Sequence, residues 1–440
     1  MKKLCFLCLL TSISFSQIIE ESNLFQEDTF ITEAPLLTNT PSKGIFLTGI
    51  IQSQFSYSFD REKLTNKESQ ATNHLSYEIN GDIFVDIRQG TGYKAFFDVG
   101  FLTTHGGFPV FRTFADSMTA TSYLLIETNT FAFQIKESFV DFPLLNLFYF
   151  RFGKQFLNWG TTYFWNPTDL LNRERKHITT LNNTRQGIWG IKLHVPYKTL
   201  INWYTFLDMT DVLILEEAAL ASRLETVLGH TEIGLGGWWR KGYVSVYGGD
   251  LSTRLWEWDI KAEGSLSYGE NRPILKENIF SLGTSEITNY TTEKVSNTWV
   301  YRIALNLSRS WEIGNVKDRL STMVEVFYNS QGKNDQLFTD PMKTQAALHY
   351  GAYVPNEYTH WYAFFSMGIK KIFISELSSQ MYLLWNIEDH SALFKQQLTY
   401  SPAYETQVNL GLMWSFGEKD REYTSTDTPL TLIANFSIQF

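Results

Sequence analysis

Cysteine is almost absent: the 440 residues include two, Cys5 and Cys8, both within the first eight positions. If that leader is removed, the rest has no disulfide, no thiolate metal site and no cysteine nucleophile. Long apolar runs are missing too. Mean hydropathy is −0.18, and no repeated runs of about 20 apolar residues occur, which excludes a bundle of membrane-spanning helices. Charge is scarce, at 19% of residues, below the usual quarter. Lys and Arg number 37 against 46 Asp and Glu, a net charge of −9, which argues against an electrostatic nucleic-acid binder. Catalytic signatures are lacking as well: there is no His-Glu-x-x-His, no Gly-x-Ser-x-Gly and no phosphate-cradling glycine loop, and the eight histidines are scattered without a triad partner. No enzyme and no cofactor are expected. Aromatic rings are in excess: Trp 13, Tyr 22 and Phe 34 make up 16% of the chain. A soluble protein would struggle to hide them; a protein solvated by lipid would not.

The N-terminus carries Lys2-Lys3, an apolar stretch Leu4–Leu10, then Ser14-Phe15-Ser16. These parts read as a cleavable secretory signal over 1–16. Residues 17–43 (Glu20, Glu21, Glu27, Asp28, Glu33, Pro35, Pro41) read as an acidic periplasmic segment, and 44–440 as a single domain.

The C-terminus alternates. Leu430, Leu432, Ala434, Phe436, Ile438 and Phe440 fall on one face, and Thr431, Ile433, Asn435, Ser437 and Gln439 on the other. This end strand resembles the C-terminal assembly signal of bacterial outer-membrane barrels, which implies the barrel-assembly machinery as a partner. The same period of two recurs upstream, with Tyr77, Ile79, Ile83, Val85 and Ile87 opposite Glu78, Asn80, Asp82, Asp86 and Arg88. A soluble double sandwich would alternate as well. The charges on the second face favour a barrel, because there they line water while the first face meets outer-membrane lipid. The expected fold is therefore all-β, a transmembrane antiparallel barrel of about 16 strands (14–18).

Connections alternate in length, with short ones at 89–92, 142–146, 196–198, 241–242 and 314–319. Long polar ones lie at 60–74, 103–121, 160–186, 209–229, 270–296, 330–358 and 417–428. Short periplasmic turns and long outer loops are the barrel pattern. The count requires 243–269 to be one long strand. Within 211–228, Leu213, Leu220, Leu224 and Val227 lie near helical spacing ahead of Gly229, which predicts a short amphipathic helix. Trp238, Trp239, Trp256, Trp258, Trp311, Trp361, Trp385 and Trp414 are expected in interfacial belts.

The densest signal is Arg151-Phe152-Gly153-Lys154-Gln155, then Trp159-Gly160 and Tyr163-Phe164-Trp165-Asn166-Pro167-Thr168-Asp169, with Lys136–Asp141 upstream and Arg185–Gly190 downstream. This order resembles the alginate-export-type porins and related outer-membrane channel families over about 130–195. The resemblance implies a channel wall in which a strand runs into a Trp-Gly loop. Parity places Arg151 and Gln155 in the lumen and Lys154 on the lipid side, unless a bulge turns it inward. Arg151 either coordinates an anionic or polar solute or pairs with Glu137 or Asp141. The aromatics of the loop 160–186 call for packing, and the barrel mouth is the expected place. Its Arg173, Arg175, Lys176 and Arg185 outnumber Asp169 and Glu174, so they form either a positive ring at a constriction or a surface patch.

Pore-lining candidates are thus Arg151, Gln155, Arg173, Arg175, Lys176, Arg185, Glu78, Asp82, Asp86 and Arg88. The expected function is a porin-like channel for passive diffusion of small polar solutes, anions included. The alternative is a surface-exposed barrel acting as an adhesin or interaction protein through its outer loops.

Overall fold

The computed structural model describes residues 43–65, 73–90, 92–108, 126–127, 130–145, 147–171, 187–198, 200–210, 212–282, 285–334, 337–403, 405–426 and 428–440. The expected signal 1–16, the acidic segment up to residue 42, and Arg173, Arg175, Lys176 and Arg185 lie outside the described residues.

One antiparallel sheet of nineteen strands dominates; setting aside the two-residue bridge Ile126–Glu127 leaves eighteen wall strands. In chain order these are β1 (Lys43–Phe59), β2 (His74–Gln89), β3 (Tyr93–Phe108), β4 (Thr130–Leu144), β5 (Phe148–Gln155) and β6 (Ile188–Tyr197). Next come β7 (Ile201–Asp208), β8 (Ala219–Leu228), β9 (Thr231–Trp239), β10 (Val246–Leu255), β11 (Trp258–Tyr268) and β12 (Trp299–Ile313). The last six are β13 (Val316–Asn329), β14 (Trp361–Ile369), β15 (Leu377–Asn386), β16 (Ser391–Ala403), β17 (Thr406–Phe416) and β18 (Leu430–Gln439). Each pairs with its neighbour, and β1 pairs with β18 from Ile50↔Gln439 to Phe59↔Leu430, so the sheet closes and leaves no free edge among the described wall strands.

The exterior is apolar by alternation. Leu47, Phe55, Ile83, Phe97, Val140, Leu305, Trp385, Leu410, Leu432 and Phe436 are exposed, while Asp82, Asp98, Glu263, Asn306, Ser366 and Gln380 are buried on the inner side. Phe440 seals the seam. Its N–H donates to the Gly49 carbonyl (3.0 Å) and its carbonyl accepts from the Gly49 N–H (2.8 Å). The ring lies where a Cβ on Gly49 would sit, at 2.5 Å. Gly49→Val should therefore lower the yield of folded barrel; heat-modifiable gel migration reads this, and wild-type yield would show the seam tolerates the branch.

The eighteen strands correct the expected count of about 16 at two places. Residues 243–269 form a hairpin, β10–β11, and the expected helix over 211–228 is largely β8. Leu220, Leu224 and Leu228 point outward, exposed, while Ala219, Ala221 and Arg223 are buried inside. A spacing of four is one helical turn and also two pleats, so these leucines fit both periods. The two omissions together shift the count by two, which left the sidedness of the long loops unchanged. Residues 241–242, expected as a short turn, belong to the 240–245 connection on the long-loop side. Trp361, Trp385 and Trp414 are exposed on outward faces as expected, but Trp238 packs inward on a buried cluster.

Candidate functional site

Strand β5 ends at Gln155, and the chain turns into the barrel. A bulge on β4 prepares the way: Asp98 pairs with Glu137 and Val99 with Ile135, which leaves Lys136 as the extra residue. Both Lys136 and Glu137 consequently reach inner partners. Lys136 Nζ meets Asp82 Oδ1 at 2.5 Å, and Glu137 accepts the Phe156 N–H at 2.6 Å. On β5 itself, Gly153 has φ +124°, and a Cβ there would lie 2.2 Å from the Ser138 carbonyl. Glycine is required by this close approach.

Segment 156–171 then runs along the inner wall. Leu157, Trp159 and Leu171 form a buried cluster with Ile188, Phe206 and Ala221, and Trp238 packs against it. Two carboxylates on the facing wall hold the tip. Glu325 on β13, 0% exposed, accepts the consecutive N–H groups of Tyr163 (2.8 Å), Phe164 (3.1 Å) and Trp165 (2.7 Å), and the Asn306 amide at 2.8 Å. Glu263 on β11, 2% exposed, accepts the N–H groups of Thr161 and Thr162, the Thr168 hydroxyl at 2.8 Å and the Asn166 amide at 3.2 Å. Charge-assisted bonds of this kind are roughly twice as strong as neutral ones. They also satisfy backbone donors that a segment without secondary structure would otherwise leave unpaired. Gly160, at φ +111°, is needed here, because a Cβ would fall 2.6 Å from Glu263 Oε1.

Rings complete the seat. Trp165 stacks on Phe327 (centroids 5.3 Å, 6° between planes), and Phe164 stacks on Phe364 at 5.0 Å. Tyr163 lies 5.7 Å from Phe364, and the Trp165 indole N–H donates to the Asn356 carbonyl at 2.9 Å. The expected packing of Tyr163, Phe164 and Trp165 is thus found, inside the barrel.

The segment covers the wall from β6 to β14. The remaining arc presents polar groups: Gln397 and Thr399 bond Asn409 (3.2 and 2.6 Å), and Ser58 bonds Thr431 (3.0 Å). On β2, Glu78 accepts from Asn80 (2.9 Å), Asp82 pairs with Lys136, and Asp86 holds Arg88 (2.8 Å) and Lys94 (3.6 Å). Arg151 continues this ladder. It forms a two-point ion pair with Asp141 (2.6 and 2.8 Å) and lies 3.7 Å over the Phe139 ring. The pairing weighed for Arg151 is thus made with Asp141. Gln155 departs from expectation: it is fully buried at the root of the segment, with its amide 3.4 Å from the Gly190 carbonyl, and lines no open lumen. Lys154 shares the outward side with exposed Phe152, and its Nζ donates back to the Ile135 carbonyl at 2.7 Å beside the bulge. Glu263 and Glu325 are the site residues that the sequence reading did not single out. The available signal was a carboxylate between Val324 and Val326, within the otherwise apolar run Met323–Tyr328.

Two solved structures share this architecture. The crystal structure of Acinetobacter baumannii OccAB3 superposes with a TM-score of 0.50 at 8% identity, over 90% of this chain and 98% of that one. A BenF-like porin from Pseudomonas fluorescens Pf-5 does so with a TM-score of 0.50 at 10% identity, again over 90% and 98%. The fold is that of an outer-membrane porin. No protein-family model and no curated protein sequence matches the chain. At such identities the likeness concerns the barrel alone, so what passes through it must be argued from the inner segment and the polar arc.

Proposed function

We propose that this porin-fold chain is an outer-membrane channel for passive diffusion of small polar solutes, narrowed by segment 156–171. The observation that carries the reading is the pair of buried carboxylates, Glu263 and Glu325, which fasten that segment to half the wall while the other half stays polar. An eighteen-stranded barrel encloses an aqueous lumen unless something fills it, and a segment bound along one side narrows the lumen without sealing it. The acids and bases of the arc alternate, which suits polar solutes of either sign. Arg173, Arg175, Lys176 and Arg185 follow the segment in sequence and would bias its rim toward anions. In the same reading, 1–16 directs export, 17–43 stays periplasmic, and the strand ending in Phe440 engages the assembly machinery. The likeness of 130–195 to alginate-export-type porins supports a channel role for the strand-to-loop motif; it does not name a solute.

Purified protein in planar bilayers should show discrete conductance steps, and liposomes containing it should swell in small sugars. Absence of steps at every voltage and salt concentration would remove the channel reading. Arg151→Gln leaves Asp141 without its cation, so in a salt gradient the reversal potential should move toward that of the cation. An unchanged potential would place Arg151 outside the conducting path.

A further inference from the structure

Asn356 joins three parts of the molecule. It lies in the long connection between β13 and β14, buried, with φ +63°. Its carbonyl accepts the Trp165 indole N–H (2.9 Å), its N–H donates to Glu422 Oε1 (2.9 Å), and its side-chain oxygen accepts the Tyr423 hydroxyl (2.8 Å). One residue thus touches the constriction segment and the outer connection 417–429 at once. Glu422 is bound from every side. It also accepts the hydroxyls of Tyr353 (3.1 Å) and Tyr362 (2.8 Å) and the Asn386 amide (2.7 Å), while its own N–H donates to Asp389 at 2.9 Å. Four donors from three elements converge on one carboxyl outside the hydrocarbon belt.

We propose that Glu422 and Asn356 form a latch through which the outer connections set the position of the constriction segment, and that proton binding at Glu422 tightens it. The proposal rests on the channel reading and adds positioning residues and a regulator to it.

The sign follows from burial. Desolvation, aided by the nearby Asp389 carboxylate and opposed by the hydrogen bonds, pushes the Glu422 carboxyl from its ordinary 4.5 to about 7. A latched, buried Glu422 therefore holds its proton more strongly than a released, hydrated one. The stabilisation of the latch is fully present below 4.5 and is lost as pH rises through 7. Between pH 8 and pH 5 those two values shift the latched-to-released ratio by roughly 70-fold toward the latch. The facing groups are Tyr353, Tyr362 and Tyr423, whose hydroxyls burial keeps neutral in this range, and Asp389, whose carboxylate accepts the Glu422 N–H. The His360–Glu388 pair (3.2 Å) on the adjoining turn is the competing titratable site.

Single-channel recording with the outer-side pH stepped from 5 to 8 at constant salt tests this. Brief conductance excursions should be at least about ten-fold rarer at pH 5 than at pH 8, within the roughly 70-fold allowed. Glu422→Gln cannot titrate, so its excursion rate should be flat with pH. Trp165→Phe keeps a stacking ring but loses the indole N–H, and should also be flat with outer pH. His360→Asn should retain the wild-type response. Steady conductance that ignores pH in the wild type, or a pH response that survives in Glu422→Gln, overturns the latch. Should Glu422→Gln fail to fold by gel migration, Trp165→Phe decides: a retained response overturns the proposal. No conductance at any pH would instead defeat the channel reading itself, so the two failures are distinguishable.

Discussion

Glu325→Ala should raise single-channel conductance several-fold and make it noisy. The carboxylate accepts three successive backbone N–H groups from the segment tip and the Asn306 amide, in a position with no access to solvent. Each buried donor left without its acceptor costs about 1–3 kcal/mol, and charge-assisted bonds lie at the upper end. Even after relaxation, about 3–5 kcal/mol of the seat is lost. Residues 161–168 carry no helix or strand that would hold them otherwise. The tip should leave the wall and explore the lumen, opening and obstructing the aperture in turn. Glu325→Gln keeps one acceptor and should fall between alanine and wild type. Wild-type conductance in a folded Glu325→Ala protein would mean that the aperture is set elsewhere.

Trp165→Ala should have the second-largest effect, with larger sugars admitted in liposome swelling. The ring gives up its stack on Phe327, its edge contact with Phe164 at 4.7 Å and its bond to Asn356. Truncating a buried tryptophan typically costs 3–5 kcal/mol. The loss falls on a segment without secondary structure, while the wall is held by its own ladder bonds. Barrel folding should survive and selectivity by size should not. An unchanged size limit would show that Glu263 and Glu325 position the segment without the indole.

Much of this was legible in the residues, and the parts that were not have specific causes. The seam strand reads directly, because Leu432, Phe436, Ile438 and Phe440 alternate with polar residues and all four are exposed on the barrel exterior. The inner position of Tyr163, Phe164 and Trp165 followed from the cost of leaving three rings in water. Strand β8 was hidden because leucines four apart satisfy two periods. The bulge at Lys136 was hidden because an extra residue leaves no mark in composition, yet it lets Lys136 and Glu137 both find inner partners. Gln155 was assigned to the correct side of its strand and the wrong solvent: parity tells inner from outer, but it cannot reveal that the sixteen-residue segment 156–171 covers the inner wall. Glu422 and Asn356 carried no signal in the sequence, since their meeting depends on three connections folding over the same end of the barrel.

The most direct test is a disulfide across the lumen-side seat, which is clean because the chain beyond Cys8 has no cysteine. A Cβ built on Gly248 of β10 lies 3.3 Å from the Thr168 Cβ, close to the span a disulfide needs. With segment 156–171 bound inside the barrel, Thr168→Cys with Gly248→Cys should oxidise nearly completely in the folded protein and conduct with wild-type amplitude. A folded double variant whose two thiols stay reduced and reach bulk reagents freely would contradict the account.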